Sequence, residues 1–125
     1  MSLVDLKAEV TSAMSDPEFS REIRYFTGKL KLAIEAEEAV FEFNDGKLAK
    51  ASSDKVADAD CKIYIKGNHL QWSNMLAKYP VPFFQCFQTT NIKHGLVMST
   101  TNETYAYLPA LNRLLAFMRK NANQE

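Results

Sequence analysis

Apolar residues recur at every second position in the middle of the chain, and this period constrains the fold more than any other feature. Leu30, Leu32 and Ile34 alternate with polar or small residues, and residues 40–43 and 61–66 repeat the pattern. Such alternation is typical of strands that bury one face of a sheet. These three segments are therefore predicted to be half-buried strands.

Turn signals connect further strands to this set. Residues 44–46 are Asn-Asp-Gly, which favours a tight hairpin, so residues 47–52 are expected to return as an antiparallel strand. Residues 92–100 carry a short apolar run and are predicted to form a last strand. The expected sheet thus has five strands and is mainly antiparallel.

Helical patterns flank the predicted sheet. Residues 4–14 have a loose helical spacing of apolar groups, and Asp16 followed by Pro17 has the chemistry of a helix start. This second helix is expected to end near Phe26. Asn68 is predicted to cap a short helix that follows the strand over residues 61–66.

The last third of the chain contains two further helical signals. Phe83, Phe84 and Phe87 are spaced like one or two helical turns that face a core. Asn102 can cap the final helix, which has a broad apolar stripe. Pro109 either bends this helix or moves its start to a later residue.

One α+β domain over residues 1–125 accounts for this order of elements. N-terminal helices are expected in residues 1–26, and the sheet with inserted short helices in residues 27–100. The C-terminal helix is expected in residues 101–120. Helices that cover one face of the sheet complete the predicted fold.

Composition excludes several classes of function. The 15 basic and 15 acidic side chains balance, so we expect no nucleic-acid partner. No run approaches the roughly 20 apolar residues of a membrane helix, and the N-terminus lacks the pattern of a secretory signal. Residues 1–3 are compatible with a remnant of cloning. Cys61 and Cys86 are too few for a disulfide framework, which favours reduced thiols and a cytoplasmic protein.

Several segments between the first strand and the last helix share residue types and order with a known family. They are residues 41–47 (FEFNDGK), residues 60–63 (DCKI), the helix around Trp72 and Leu76, residues 83–85 (FFQ) and residues 92–95 (IKHG). Over roughly residues 26–118 the chain resembles the sterol carrier protein type 2 family. The resemblance implies an apolar tunnel between sheet and helices that takes fatty acyl chains, acyl-CoA or sterols. It implies no catalytic residue and no cofactor.

The tunnel lining is predicted from apolar, aromatic and methionine side chains, which adapt to an irregular alkyl ligand. The predicted ligand-binding residues are Trp72, Met75, Leu76, Phe83, Phe84, Phe87, Met98, Leu108, Leu111, Leu115 and Met118. Packing of a closed core would use the same residues, so both interpretations stay open. The first makes the chain a non-catalytic carrier. The alternative is an interaction or homodimerisation domain with its apolar helix as the interface.

Two other groups of residues have the chemistry of possible sites. Cys61 and Cys86 each precede a histidine, His69 and His94, by the same spacing, but zinc ligands usually come as closer pairs, so no metal site is predicted. A Cys86–His94 dyad is disfavoured because apolar neighbours make a thiol inert. The lysines of the predicted strands could steer an anionic head group, although a role as solvated residues is favoured; they are Lys29, Lys31, Lys47, Lys50, Lys55, Lys62 and Lys66.

Overall fold

A computed structural model describes residues 4–124 of the chain. Residues 1–3, and with them the prediction of a cloning remnant, lie outside the described part. The helices are α1 (Leu6–Ala13), α2 (Pro17–Ile23), α3 (His69–Met75), α4 (Phe87–His94), α5 (Asn102–Ala106) and α6 (Leu108–Ala122). The strands are β1 (Gly28–Ile34), β2 (Glu37–Asn44), β3 (Lys47–Ser52), β4 (Ile63–Gly67) and β5 (Val97–Met98).

The five strands form one sheet in the order β3-β2-β1-β4-β5. Strand β1 pairs antiparallel with β2 and parallel with β4, and the other two pairings are antiparallel. The prediction of a five-stranded, mainly antiparallel sheet is confirmed. Because β2 and β1 lie between β3 and β4 in the sheet, the chain that joins β3 to β4 must cross a face of the sheet. We call residues 53–61 the crossover segment.

Local sequence signals place the first elements as predicted. The Asp16 carboxylate accepts a hydrogen bond from the backbone N–H of Phe19 at 3.0 Å, so Asp16 is the N-cap of α2 and Pro17 lies in its first turn. Asp45 and Gly46 have φ of 52° and 81°, which is the left-handed geometry of a tight β2–β3 hairpin. Helix α2 ends at Ile23, earlier than expected.

The segment that follows α3 differs most from the sequence prediction. Phe83 and Phe84 are not helical, and α4 begins only at Phe87. Ile92, predicted as strand, lies in α4 with its side chain 72% exposed, and β5 has only two residues. A short helix continued to the left-handed Gly95 therefore replaces most of the expected strand.

Two helices replace the single C-terminal helix of the prediction. Thr101, and not Asn102, caps α5, and its hydroxyl accepts a hydrogen bond from the Thr104 N–H at 3.1 Å. Helix α6 then starts at Leu108 with Pro109 in its first turn, where proline is tolerated. The later start is thus one of the two outcomes that Pro109 allowed. The helix ends at Ala122, two residues beyond the expected end.

Candidate functional site

The helix-facing side of the sheet is a continuous apolar surface. In register, Leu30 lies opposite Phe41 of β2 and Ile63 of β4, and Leu32 lies opposite Ile65. All five side chains are fully buried. The alternation found in the sequence therefore places one side of β1, β2 and β4 toward the helices, as expected for a half-covered sheet.

Helix α6 provides the opposite wall of this layer. Its fully buried residues recur at helical spacing and are Ala110, Leu111, Leu114, Leu115 and Met118. The helix is oriented by an ion pair in which Arg113 donates to both carboxylate oxygens of Asp16, at 2.8 and 2.9 Å. The Arg113 hydrogen bond lowers the pKa of Asp16 to about 2. One carboxylate thus caps α2 and also fixes α6.

Trp72 anchors α3 over the end of the sheet. Its indole N–H donates to the carbonyl of Ala33 at 2.8 Å, so the buried polar atom is satisfied. Its ring meets Phe87 edge to face with the centroids 5.8 Å apart. A Cβ atom on Gly67 would lie 2.7 Å from Leu96 and 3.0 Å from the indole nitrogen, so glycine here lets both side chains pack closely against the strand.

Nine of the predicted ligand-binding residues lie together in one buried apolar cluster with the sheet. They are Trp72, Met75, Leu76, Phe84, Phe87, Met98, Leu111, Leu115 and Met118. Leu108 is half-buried and packs against the cluster. Phe83 is 45% exposed, which places it outside the cluster. That these residues line a tunnel stays a prediction.

Sequence reasoning leaves out the sheet side of the same cluster. Leu30, Leu32, Phe41, Ile63 and Ile65 belong to the same buried cluster but are predicted only as strand residues. A signal for them is present in the sequence, because alternation alone identifies the buried face of a strand. Any ligand held between the layers would meet these side chains as well.

Two surface cavities are lined by residues other than the predicted ligand-binding ones. One of about 540 Å³ is lined by residues that include Leu6 of α1, Ala39 of β2 and Lys55 of the crossover segment. The other, of about 380 Å³, lies between Lys78 and the end of α6. The predicted ligand-binding residues, all within the described part of the chain, line neither of them.

The other face of the sheet holds a charged cluster that the sequence does not reveal. Lys31, expected to be solvated, is only 3% exposed. Its ammonium donates to the Val56 carbonyl and to Asp58, the latter at 2.9 Å, and Glu38 lies 3.5 Å away. Asp58 also binds Lys66. The crossover segment thus covers the middle of this face and supplies the carboxylate that the buried cation needs.

Charge pairing determines the protonation of this cluster. Burial opposes the positive charge of Lys31, but the hydrogen bond and the charge of Asp58 outweigh it and raise the Lys31 pKa. Hydrogen bonds from Lys66 and Lys31 lower the pKa of Asp58. Burial raises the pKa of the nearby Cys61 thiol, which makes it a poor nucleophile.

The cysteine and histidine residues have contacts other than those of a metal or nucleophilic site. The His94 ring stacks on Phe84 with the centroids 3.8 Å apart, and the Cys86 sulfur lies 3.2 Å from the Thr89 hydroxyl. Within residues 4–124, no group of three or more His, Cys, Asp or Glu side chains is placed to hold a metal ion. In the same range no helix is both long and apolar enough to span a bilayer.

A mixed five-stranded sheet with helices over one face and an apolar layer between them defines the class of fold, which is that of sterol carrier proteins. The chain aligns with the crystal structure of sterol carrier protein 2 at a TM-score of 0.68 and 14% identity, over 96% of this chain and 98% of the other. A conserved hypothetical protein from Thermus thermophilus, described as a candidate sterol carrier protein, aligns at a TM-score of 0.63 and 14% identity, over 96% and 89%.

A third similar structure is a UbiJ-SCP2 ubiquinone synthesis protein, with a TM-score of 0.50 and 10% identity, over 88% of this chain and 95% of the other. No family model matches the sequence, and no curated protein matches it. At these identities the likeness shows the fold: the predicted α+β architecture with a five-stranded, mainly antiparallel sheet is confirmed over nearly the whole chain, and the tunnel stays a prediction.

Proposed function

We propose that the protein binds an apolar ligand, such as a fatty acid, an acyl-CoA or a sterol-like lipid, between its sheet and its helices and performs no chemistry on it. The observation that carries the proposal is the likeness to sterol carrier protein 2 over 96% of the chain. The buried apolar cluster between sheet and helices also supports the proposal.

The composition of the cluster supports an adaptable binding site. Met75, Met98 and Met118 are flexible and polarisable, and they belong to the same cluster as the aromatic rings of Trp72 and Phe87. Each buried methylene of a ligand contributes roughly 0.8 kcal/mol, so about ten contribute about 8 kcal/mol before the cost of association. Affinity in the micromolar range with weak selectivity is expected.

Trp72, the single tryptophan, offers a direct test. A fatty acid with a conjugated polyene chain should accept energy from Trp72 and saturate at one molecule per chain. The Leu115→Phe variant fills space in the apolar layer and should weaken binding about tenfold, because a well-packed interior accommodates added volume poorly. Val40→Leu is the matched control, since Val40 is similarly buried but lies on the other face of the sheet.

Equal affinities for the two variants would contradict a site in the apolar layer. No saturable energy transfer, together with no lipid in a solvent extract of the native protein, would contradict ligand binding altogether. Thermal unfolding of both variants should confirm that each remains folded.

The alternative of dimerisation through the apolar helix finds less support. The apolar stripe of α6 packs inside the chain, with Leu111, Leu114 and Leu115 fully buried. A dimer would therefore have to use another surface. Light scattering on the ligand-free protein distinguishes a monomeric carrier from a dimeric interaction domain.

A further inference from the structure

The loop between α3 and α4 exposes apolar side chains in a way that the apolar layer does not explain. We call residues 78–83 the proline–aromatic loop. Tyr79 is 82% exposed, Val81 54% and Phe83 45%. The first two each precede a proline, which restricts both to extended conformations. The loop is therefore stiff and holds its apolar side chains out at low entropic cost.

Phe83 is held in a conformation that bulky residues avoid. Its φ is 74°, in the left-handed region. Its N–H donates to the Gln85 side chain at 2.7 Å, and its carbonyl accepts from the hydroxyls of Thr89 and Thr90 at 3.1 and 2.9 Å. Such strain persists only where surrounding contacts impose it, and it is typical of functional segments.

Both ends of the loop are tied to the end of α6. The Arg119 guanidinium donates to the Met75 carbonyl at 2.9 Å and to the Gln85 carbonyl at 3.1 Å. Asn123 donates to the Leu76 carbonyl at 2.8 Å. A single helix end thus fixes where the loop leaves and rejoins the domain, so its tip projects as one rigid feature.

A lysine lies against each of the two exposed aromatic rings. The ammonium of Lys78 lies 5.6 Å from the centre of the Tyr79 ring, and that of Lys93 lies 5.3 Å from the centre of the Phe83 ring. Lys78 and Lys120 line the adjacent cavity of about 380 Å³. Residues 61–102 contain no Asp or Glu, although the whole chain is neutral. The loop therefore presents lysine ammonium groups together with exposed aromatic rings, and residues 61–102 contribute no carboxylate beside them.

We propose that the proline–aromatic loop docks the protein on an anionic lipid bilayer. The side chains of Tyr79, Val81 and Phe83 would enter the boundary between headgroups and acyl chains, where aromatic rings are favoured. Lys78 and Lys93 would meet the phosphates. A second copy of the chain fits this surface less well, because a symmetric contact would bring like charges together. The proposal extends the proposed function to the place where lipid is exchanged, but it does not require a bound ligand.

Sedimentation with vesicles tests the proposal on the full chain. Binding is expected to vesicles with about one third phosphatidylglycerol, to be weak on pure phosphatidylcholine, and to fall with added salt. Replacing Lys78 and Lys93 by glutamine should weaken binding about fivefold for each charge removed. Val81→Asp should weaken it about tenfold.

Tyr25→Asp is the matched control. Tyr25 is 69% exposed, has a φ of 77° and has Arg24 over its ring at 5.4 Å, so it shares the local features of Phe83. It lies beside the β2–β3 hairpin and outside the loop. Vesicle binding by this variant should equal that of the parent protein.

A spectroscopic measurement keeps the test independent of affinity. In Tyr79→Trp the new indole is exposed, whereas Trp72 is fully buried, so a soluble quencher reports on position 79. Anionic vesicles should protect it from the quencher.

Undiminished quenching, or equal binding by Val81→Asp and the parent protein, would overturn the proposal. A concentration-dependent dimer that Val81→Asp abolishes would instead identify an interface between copies and would equally overturn it. Fatty-acid binding by Val81→Asp in solution should be unchanged, so this test and that of the proposed function can fail separately.

Discussion

The two faces of the central sheet are buried by different means. On the helix-facing side, Leu30, Leu32 and Ile65 belong to an apolar cluster shared with the helices, and their burial involves no charge. On the other side, Lys31 is as buried as a core residue, yet it is held by Asp58 and Glu38. Burial on the first face depends on shape. Burial on the second face depends on the pairing of opposite charges. For this reason the two faces should respond differently to substitution.

The largest effect is expected on the helix-facing side. Trp72→Ala removes a fully buried ring and leaves the Ala33 carbonyl without its donor, so the free energy of unfolding should fall by about 3–5 kcal/mol. Urea denaturation followed by circular dichroism measures this change. Leu70→Ala is the control on the same helix, and because Leu70 is 69% exposed it should change stability by no more than about 0.5 kcal/mol. Equal losses in both variants would show that Trp72 does not anchor the layer.

On the charged face, substituting the two partners of one ion pair should change stability by different amounts. Asp58→Asn removes the nearer of the two carboxylates beside the buried Lys31 and leaves only Glu38 at 3.5 Å, so stability should fall by about 2 kcal/mol, moderated because Asp58 is 34% exposed. Lys31→Met replaces the cation by an apolar side chain of similar length, so the change should stay within about 1 kcal/mol of zero.

Urea denaturation of the two single variants and of the double variant provides the measurement. The double variant should recover most of the loss caused by Asp58→Asn, because the buried cation that Asp58 neutralises is then absent. Losses that simply add would mean that the pair does not interact.

The same contrast explains what the sequence can predict. Alternation along β1 identifies Leu30, Leu32 and Ile34 as the buried face, because period two is a local property of the chain. Nothing local distinguishes Lys31 from a solvated strand lysine. Its burial results from parallel pairing of β1 with β4, which carries the crossover segment over that face.

The residues of the candidate site likewise fall into those that sequence spacing predicts correctly and those that it does not. Helical spacing correctly brings Leu111, Leu115 and Met118 together. The helical turn predicted at Phe83 and the strand predicted at Ile92 are both wrong, because α4 begins only at Phe87 and continues through Ile92. The hydroxyls of Thr89 and Thr90 in this helix donate to the Phe83 carbonyl. Aromatic spacing alone cannot reveal that Phe83 has a left-handed backbone conformation and an exposed ring.

The smallest effect concerns the ion pair that joins α2 to α6 within the helical layer, and the pH dependence of this effect lies in acid. The pKa of Asp16 is lowered to about 2 in the folded chain, so between about pH 4 and pH 2 the unfolded chain binds the proton more readily. The contribution of Asp16 is therefore complete above about pH 4 and is lost as the pH falls toward 2.

Asp16→Asn keeps an N-cap acceptor but cannot titrate, so its cost near neutral pH should be modest. Urea denaturation at a series of pH values should show the stability difference between parent and variant shrinking through this window, and a constant difference would mean that Arg113 does not hold the Asp16 carboxylate in its charged form.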